Sequence, residues 1–333
     1  MSDNQNAVVQ TGAAAGAGSG RGGLRPIMVA IAGDSGTGKT TVTAGLVKAL
    51  GPERITSVGA DDYHRYDREE RKSLPFTPLN PECNFIDIME QHLKHLALGR
   101  PILKPVYDHD TGELTRPEYI EPREFVIVEG LLPLYTEAAR ACFEVMVYLD
   151  PPEELRIAWK LGRETKKRGY TEDEVREDLK KREPESEKFI RPQRARADIV
   201  VRFAPIEERG ETADDPLSAT LLLRPTIDHP EMHQILGDDT NQAMHLKLIR
   251  DDDGKPVDAV HIHSYAEREI TKKVEQDIWD ELGVDAPLPE SLGRLAPDSD
   301  SRDEPLALTQ LILLYHMIQA RERLTEATSD SAG

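Results

Sequence analysis

The octapeptide Gly33-Asp34-Ser35-Gly36-Thr37-Gly38-Lys39-Thr40 fits G-x-x-x-x-G-K-[ST] and directly follows an apolar run, residues 27–32. No other feature constrains the fold as much. A buried strand delivers the chain into a glycine-rich turn, and the turn opens a helix whose first amide N–H groups point at bound phosphate. Gly36 and Gly38 permit close backbone approach, Lys39 reaches the β- and γ-phosphates, and the Thr40 hydroxyl ligates Mg²⁺. The expected cofactors are ATP and Mg²⁺, held by Gly33, Ser35, Gly36, Thr37, Gly38, Lys39, Thr40 and Thr41.

The remaining composition narrows what such a loop serves. Lys and Arg number 42 against 61 Asp and Glu, a net charge of −19, which argues against a general binder of nucleic acid or anionic membrane. Cys83 and Cys142 are far apart, so a disulfide framework is not expected and a reducing, cytoplasmic setting is. No apolar run reaches the ~18 residues of a membrane span. Residues 1–23, rich in Gly, Ala, Ser and Gln, lack the apolar centre of a signal peptide and read as a disordered arm.

Apolar, β-branched runs at 27–32, 55–58, 125–128, 145–149 and 199–203 alternate with helical patterns at 40–50, 86–98 and 153–167. This order predicts an α/β fold with a largely parallel, doubly covered sheet over residues 24–204. Residues 171–187 are charged and nearly devoid of apolar positions, as in an exposed helix or a mobile lid. Residues 205–333 read as a C-terminal α+β extension packed on this core, with strands at 217–223, 244–249 and 257–263 and helices at 267–282 and 306–325. The last helix carries Leu308, Leu311, Ile312, Leu314 and Ile318 and is expected in the core or a subunit interface.

Phosphoryl transfer also needs an acid near the metal, and the apolar strand 125–128 ends in Glu129. After the second strand comes Asp61-Asp62-Tyr63-His64-Arg65-Tyr66-Asp67-Arg68-Glu69-Glu70-Arg71-Lys72. A carboxylate there faces the crevice where open α/β sheets bind ligands, so Asp61 or Asp62 can accept a hydroxyl proton while His64, Arg68 and Arg71 hold an anionic acceptor. Lys160, Arg163 and Lys167 fall on one helical face and offer a second phosphate site. His261 and His263 alternate on a strand without a third ligand of suitable spacing, which argues against a metal there; His92 and His95 read as surface or packing residues.

Taken together, GDSGTGKTT (33–41), DDYHRYDREERK (61–72), KPVYDHDTG (104–112), VIVEGLLPLY (126–135), WKLGRETKKRG (159–169) and FIRPQRARADIVV (189–201) resemble the phosphoribulokinases, within the phosphoribulokinase/uridine kinase group of P-loop kinases. Segments 262–283 and 306–318 extend the resemblance toward the plant and cyanobacterial type. It implies a P-loop kinase fold, a homodimer and ATP-dependent phosphorylation of ribulose 5-phosphate in the reductive pentose phosphate cycle. It also implies that Asp61 is the general base, Glu129 and Thr40 the metal partners, and His64, Arg68 and Arg71 substrate-binding. Lys160, Arg163 and Arg168 would serve substrate binding and the transferring phosphoryl group, with Lys39 on the phosphates and Tyr107 and His109 near the site.

Two departures qualify the resemblance. Glu164 stands where relatives commonly carry Asp, and Thr37 and Gly59 stand where plant-type relatives carry the cysteines of a redox switch. Thioredoxin control through those bridges is therefore not expected, nor is the redox-controlled complex with glyceraldehyde-3-phosphate dehydrogenase. Two other readings remain open: a uridine kinase-like enzyme with another acceptor, and a non-catalytic nucleotide-binding scaffold. A regulatory GTPase would need an N-K-x-D motif, which is absent.

Overall fold

The computed structural model describes residues 25–237, 240, 242–295 and 301–330, with backbone only at 167, 168 and 330; the expected arm, 1–23, lies outside the described residues. In chain order the elements are β1 (Ile27–Gly33), α1 (Lys39–Leu50), β2 (Ile55–Gly59), α2 (Arg68–Arg71), α3 (Ile86–Ala97), β3 (Ile102–Tyr107), β4 (Leu114–Ile120), β5 (Phe125–Gly130), α4 (Glu137–Arg140), β6 (Val145–Leu149), α5 (Glu153–Arg168) and α6 (Glu172–Glu185). They continue as β7 (Ile199–Ala204), β8 (Ser218–Leu223), α7 (Met232–Ile235), β9 (Met244–Arg250), β10 (Pro256–Ile262), α8 (Arg268–Leu282) and α9 (Glu304–Asp330).

Eight strands form one sheet in the order β2-β5-β1-β6-β7-β8-β10-β9. The first five are parallel, as the βα alternation predicts. From β8 onward the neighbours are antiparallel, so the C-terminal strands continue the same sheet. Every residue of β1 is buried, because alternate side chains enter two cores. Ile27, Val29 and Ile31 join α1, α8 and α9 on one face; Met28, Ala30 and Ala32 join Met89, Leu93 and Leu96 of α3 on the other.

Helix α9 is buried on all sides from Leu306 to Met317, which places it in the core rather than on a surface. It lies against α1 at Gly45, where an added Cβ would come 2.0 Å from Gln310 Nε2. The Gln310 amide accepts from Gly293 N–H at 2.8 Å and donates to Thr41 O at 3.4 Å. Through that amide the C-terminal helix touches the helix that carries the phosphate loop.

The antiparallel hairpin β3–β4 was not foreseen from the sequence. Its signal is masked: Pro105 interrupts β3, with a register shift between Lys104 and Val106, and β4 is exposed along nearly its whole length, so neither strand shows an apolar alternation. Residues 171–187 do form a helix, entered through a capping box between Thr171 and Glu174. Its two buried apolar residues, Val175 and Leu179, sit four apart on the face turned to the protein.

Candidate active site

The phosphate loop runs from the end of β1 into α1 with Gly36 and Gly38 at φ 89° and 90°, in the left-handed region that glycine tolerates. Gly36 is also a point of close approach, since a Cβ would meet Lys160 Cβ at 3.0 Å and Arg156 O at 3.2 Å. The loop is braced from within. Thr37 Oγ1 donates to Asp34 O at 2.9 Å, Ser35 N–H donates to Asp34 Oδ1 at 2.6 Å, and Lys39 Nζ donates to Gly33 O and Asp34 O at 2.9 and 2.8 Å. Burial pulls the Lys39 pKa down, while Asp61, Glu129 and Asp34 act to hold it up.

Glu129, at the end of β5, accepts from Thr43 Oγ1 at 2.9 Å and Thr40 Oγ1 at 3.4 Å. Burial pushes its carboxyl pKa up, opposed by those hydroxyls and Lys39. A carboxylate and a hydroxyl beside a lysine are hard oxygen donors of the kind Mg²⁺ takes when nucleotide and water complete its shell. Among the described residues no cluster of three or more His, Cys, Asp or Glu could hold a metal ion.

The second strand ends at the Asp pair, and the fold separates its members. Asp62 is committed elsewhere: Lys104 Nζ pairs with it, and Tyr107 N–H donates to its Oδ1 at 3.1 Å, which anchors the β3–β4 hairpin. Asp61 lies beside Gly130, where an added Cβ would be 3.1 Å from its Oδ1, and accepts from Leu131 N–H at 3.4 Å. Asp61 thus stands between Glu129's strand end and the loop carrying His64.

His64 is buried, and burial lowers its pKa to about 4. Asn84 Nδ2 donates to Pro78 O and Asn80 O, so Asn84 Oδ1 is free to accept from His64 Nδ1–H at 2.7 Å. With its pKa held that low the ring is neutral near pH 7, and with Nδ1–H donating to Asn84 its Nε2 is an acceptor. Tyr107 lies edge-on to both His64 and His109, with centroids 4.9 and 5.1 Å apart. Arg71 stacks on Tyr107, its Cζ 4.7 Å from the ring centroid, and donates through Nη2 to the phenol. Its Nη1 is buried and has no hydrogen-bond partner. Arg68 instead donates to His109 O at 2.5 Å and Asp110 O at 3.3 Å, tying α2 to the hairpin tip.

The second basic cluster does not act as one face. Arg163 reaches the phosphate loop, donating to Ser35 Oγ at 3.2 Å and Glu164 Oε1 at 2.8 Å. Lys160 is buried between α5 and α6, 3.2 Å from Asp178, and burial lowers its pKa to about 8. The Lys167 and Arg168 side chains lie outside the described residues. Arg156, absent from the residues expected at the site, is buried behind the loop, donating to Ser35 O at 3.0 Å and lying 3.6 Å from Asp34. Its place one turn before Lys160 on α5 was the available signal. His261 and His263 both stack on His245, with centroids 4.8 Å apart, and form no metal cluster; His92 meets the Tyr63 hydroxyl at 3.0 Å.

A parallel sheet whose first strand opens into this loop, with an acid at the end of the neighbouring strand, defines the P-loop kinase fold. The chain belongs to the phosphoribulokinase/uridine kinase family, whose profile matches residues 28–208. It is 40% identical over 181 residues to a phosphoribulokinase of Synechocystis sp., covering 54% of each chain. It is 32% identical over 198 residues to the chloroplastic phosphoribulokinase of Spinacia oleracea, covering 54% of this chain and 49% of that one. The chain thus matches about half the length of these curated relatives. A uridine kinase of Lactiplantibacillus plantarum is 31% identical over 202 residues, covering 58% of this chain and 93% of that one. Among solved structures, a phosphoribulokinase from Rhodobacter spheroides superposes with TM-score 0.54 at 16% identity, covering 72% of this chain and 90% of that one, which supports the shared fold. Among the described residues no helix is long and apolar enough to cross a membrane.

Proposed function

We propose that the protein transfers the γ-phosphoryl group of ATP to the 1-hydroxyl of D-ribulose 5-phosphate, giving ribulose 1,5-bisphosphate and ADP. The observation that carries the acceptor is Arg71: a half-buried guanidinium, stacked on Tyr107, whose Nη1 is buried and has no protein partner. A buried unpaired donor on a charged group is costly, and a phosphate on the acceptor repays it. A nucleoside brings no such group. The His64 and Tyr107 rings are in contact, with centroids 4.9 Å apart, and can orient sugar hydroxyls.

In this reading the phosphate-loop amides and Lys39 fix the triphosphate, and Arg163 steadies the loop through Ser35. Asp61 takes the proton of the attacking hydroxyl, since Asp62 is held by Lys104 and Tyr107. Thr40 and Glu129 would hold Mg²⁺, which supplies charge stabilisation on the transferring group. Lys160 supports α5 against α6 through Asp178. A homodimer belongs to the same proposal, with sedimentation velocity as its check.

The test is ADP release by the purified protein with Mg-ATP and ribulose 5-phosphate, uridine or no acceptor. Turnover with ribulose 5-phosphate alone is the expected result. Turnover with uridine overturns the acceptor assignment, and silence with both favours a non-catalytic nucleotide-binding scaffold.

A further inference from the structure

Two consecutive residues at the end of α6 hold two different loops. Helix α6 contains Pro184, which lacks an amide hydrogen, and passes at Ser186–Ile190 into a single π-helical turn. Such widened turns re-aim the side chains they carry. Glu185 turns toward residues 77–80: it accepts from Thr77 N–H and from Asn80 Nδ2, each at 2.9 Å, and from the Thr77 hydroxyl. Ser186, fully buried, turns the other way and donates through Oγ to Asp34 Oδ2 in the phosphate loop.

The contacts continue in both directions. Asp34 receives Ser35 N–H on its other oxygen, and its carbonyl receives Thr37 and Lys39. On the far side Asn80 O accepts from Asn84 Nδ2 at 2.8 Å, and Asn84 Oδ1 accepts from His64. A continuous hydrogen-bonded path therefore runs from the phosphate-binding lysine to the imidazole proposed to face the acceptor. Its midpoint is one peptide unit.

We propose that Glu185 and Ser186 are positioning residues: together they set the spacing between the nucleotide loop and the acceptor loop, so that nucleotide bound on one side orders the other. The inference rests on reading residues 61–84 as the acceptor side. Neither residue touches a reacting atom. Each acts through a loop whose register decides whether the hydroxyl and the γ-phosphoryl meet, a displacement to which transfer rates are sensitive.

Amide hydrogen exchange on the full chain tests this without any acceptor, using a non-hydrolysable ATP analogue with Mg²⁺ as the probe. In the parent protein the analogue should slow exchange at 33–41 and, by about fivefold or more, at 77–84. Ser186→Ala should keep the protection at 33–41 and lose it at 77–84. Should Ser186→Ala bind the analogue poorly or fold poorly, Glu185→Gln decides, because it touches no phosphate-loop residue and should lose the same protection. Glu185→Gln should also raise the acceptor KM about tenfold with the Mg-ATP KM unchanged, a split that general destabilisation does not give. Absence of slowing at 77–84 in the parent protein, or its persistence in Glu185→Gln, overturns the proposal. Failure of the ribulose 5-phosphate assay alone would instead overturn the acceptor assignment, because the exchange measurement stands apart from it.

Discussion

Replacing Arg71 by Ala removes a guanidinium whose buried Nη1 is unpartnered while leaving the phosphate loop untouched. Hydrogen bonds to charged groups contribute about 1.5–3 kcal/mol. At 1.4 kcal/mol per decade, their loss raises the acceptor KM by about 10- to 150-fold. Because Nη2 and the cation–π contact engage Tyr107 rather than nucleotide-binding residues, the Mg-ATP KM should stay within about twofold. Arg71→Lys should fall between, since an ammonium keeps the charge but loses the planar fork and the stacking. The assay is initial-rate ADP release at saturating Mg-ATP with ribulose 5-phosphate varied, alongside the thermal midpoint of each variant. A folded Arg71→Ala enzyme with an unchanged acceptor KM would refute a phosphate-bearing acceptor, and the reasoning from an unpaired buried donor with it.

Asp61→Asn should lower kcat by about 10²- to 10⁴-fold with little change in the Mg-ATP KM, whereas Asp62→Asn should act mainly on the acceptor KM by loosening the hairpin; steady-state kinetics of the pair separates base from anchor. Gly45→Ala gains about 1 kcal/mol of helix propensity but displaces the buried Gln310 amide and its bond to Gly293, a loss of about 1–3 kcal/mol, so its thermal midpoint should not rise. The folded pKa values of His64, His261 and His263 are lowered by burial to about 4, so between pH 6.5 and 4 the unfolded chain binds more protons and stability falls as pH falls. Urea unfolding should show a steeper decline over that window for the parent protein than for a His261→Asn/His263→Asn double variant. Cys83 and Cys142 are both buried and free, so turnover should be equal after dithiol reduction and after mild oxidation; a redox-sensitive rate would overturn this expectation.

The phosphate loop, the five parallel strands and the acids after β2 and β5 were legible from the residues alone, because each is a local pattern: glycines where φ turns positive, apolar runs where a strand is covered on both faces, polar ends where the strands meet solvent. The sequence also indicated the family, through motifs that span most of the chain. Residues equivalent in the pattern are told apart by what they meet in space. The residue pattern leaves Asp61 and Asp62 equivalent and the resemblance points to Asp61; the pairing of Asp62 with Lys104 comes from a hairpin that its prolines and exposed strand conceal. Lys160 and Arg163 share a helical face on paper, yet one is enclosed by α6 and the other reaches Ser35. His64 reads as a cation until burial lowers its pKa to about 4, while Asn84 fixes which ring nitrogen carries the proton. Glu185 and Ser186 carry no local signal at all, because what defines them is a partner as much as 152 residues away. Strand and helix patterns follow from neighbours in sequence, whereas charge state, pairing and reach follow from neighbours in space.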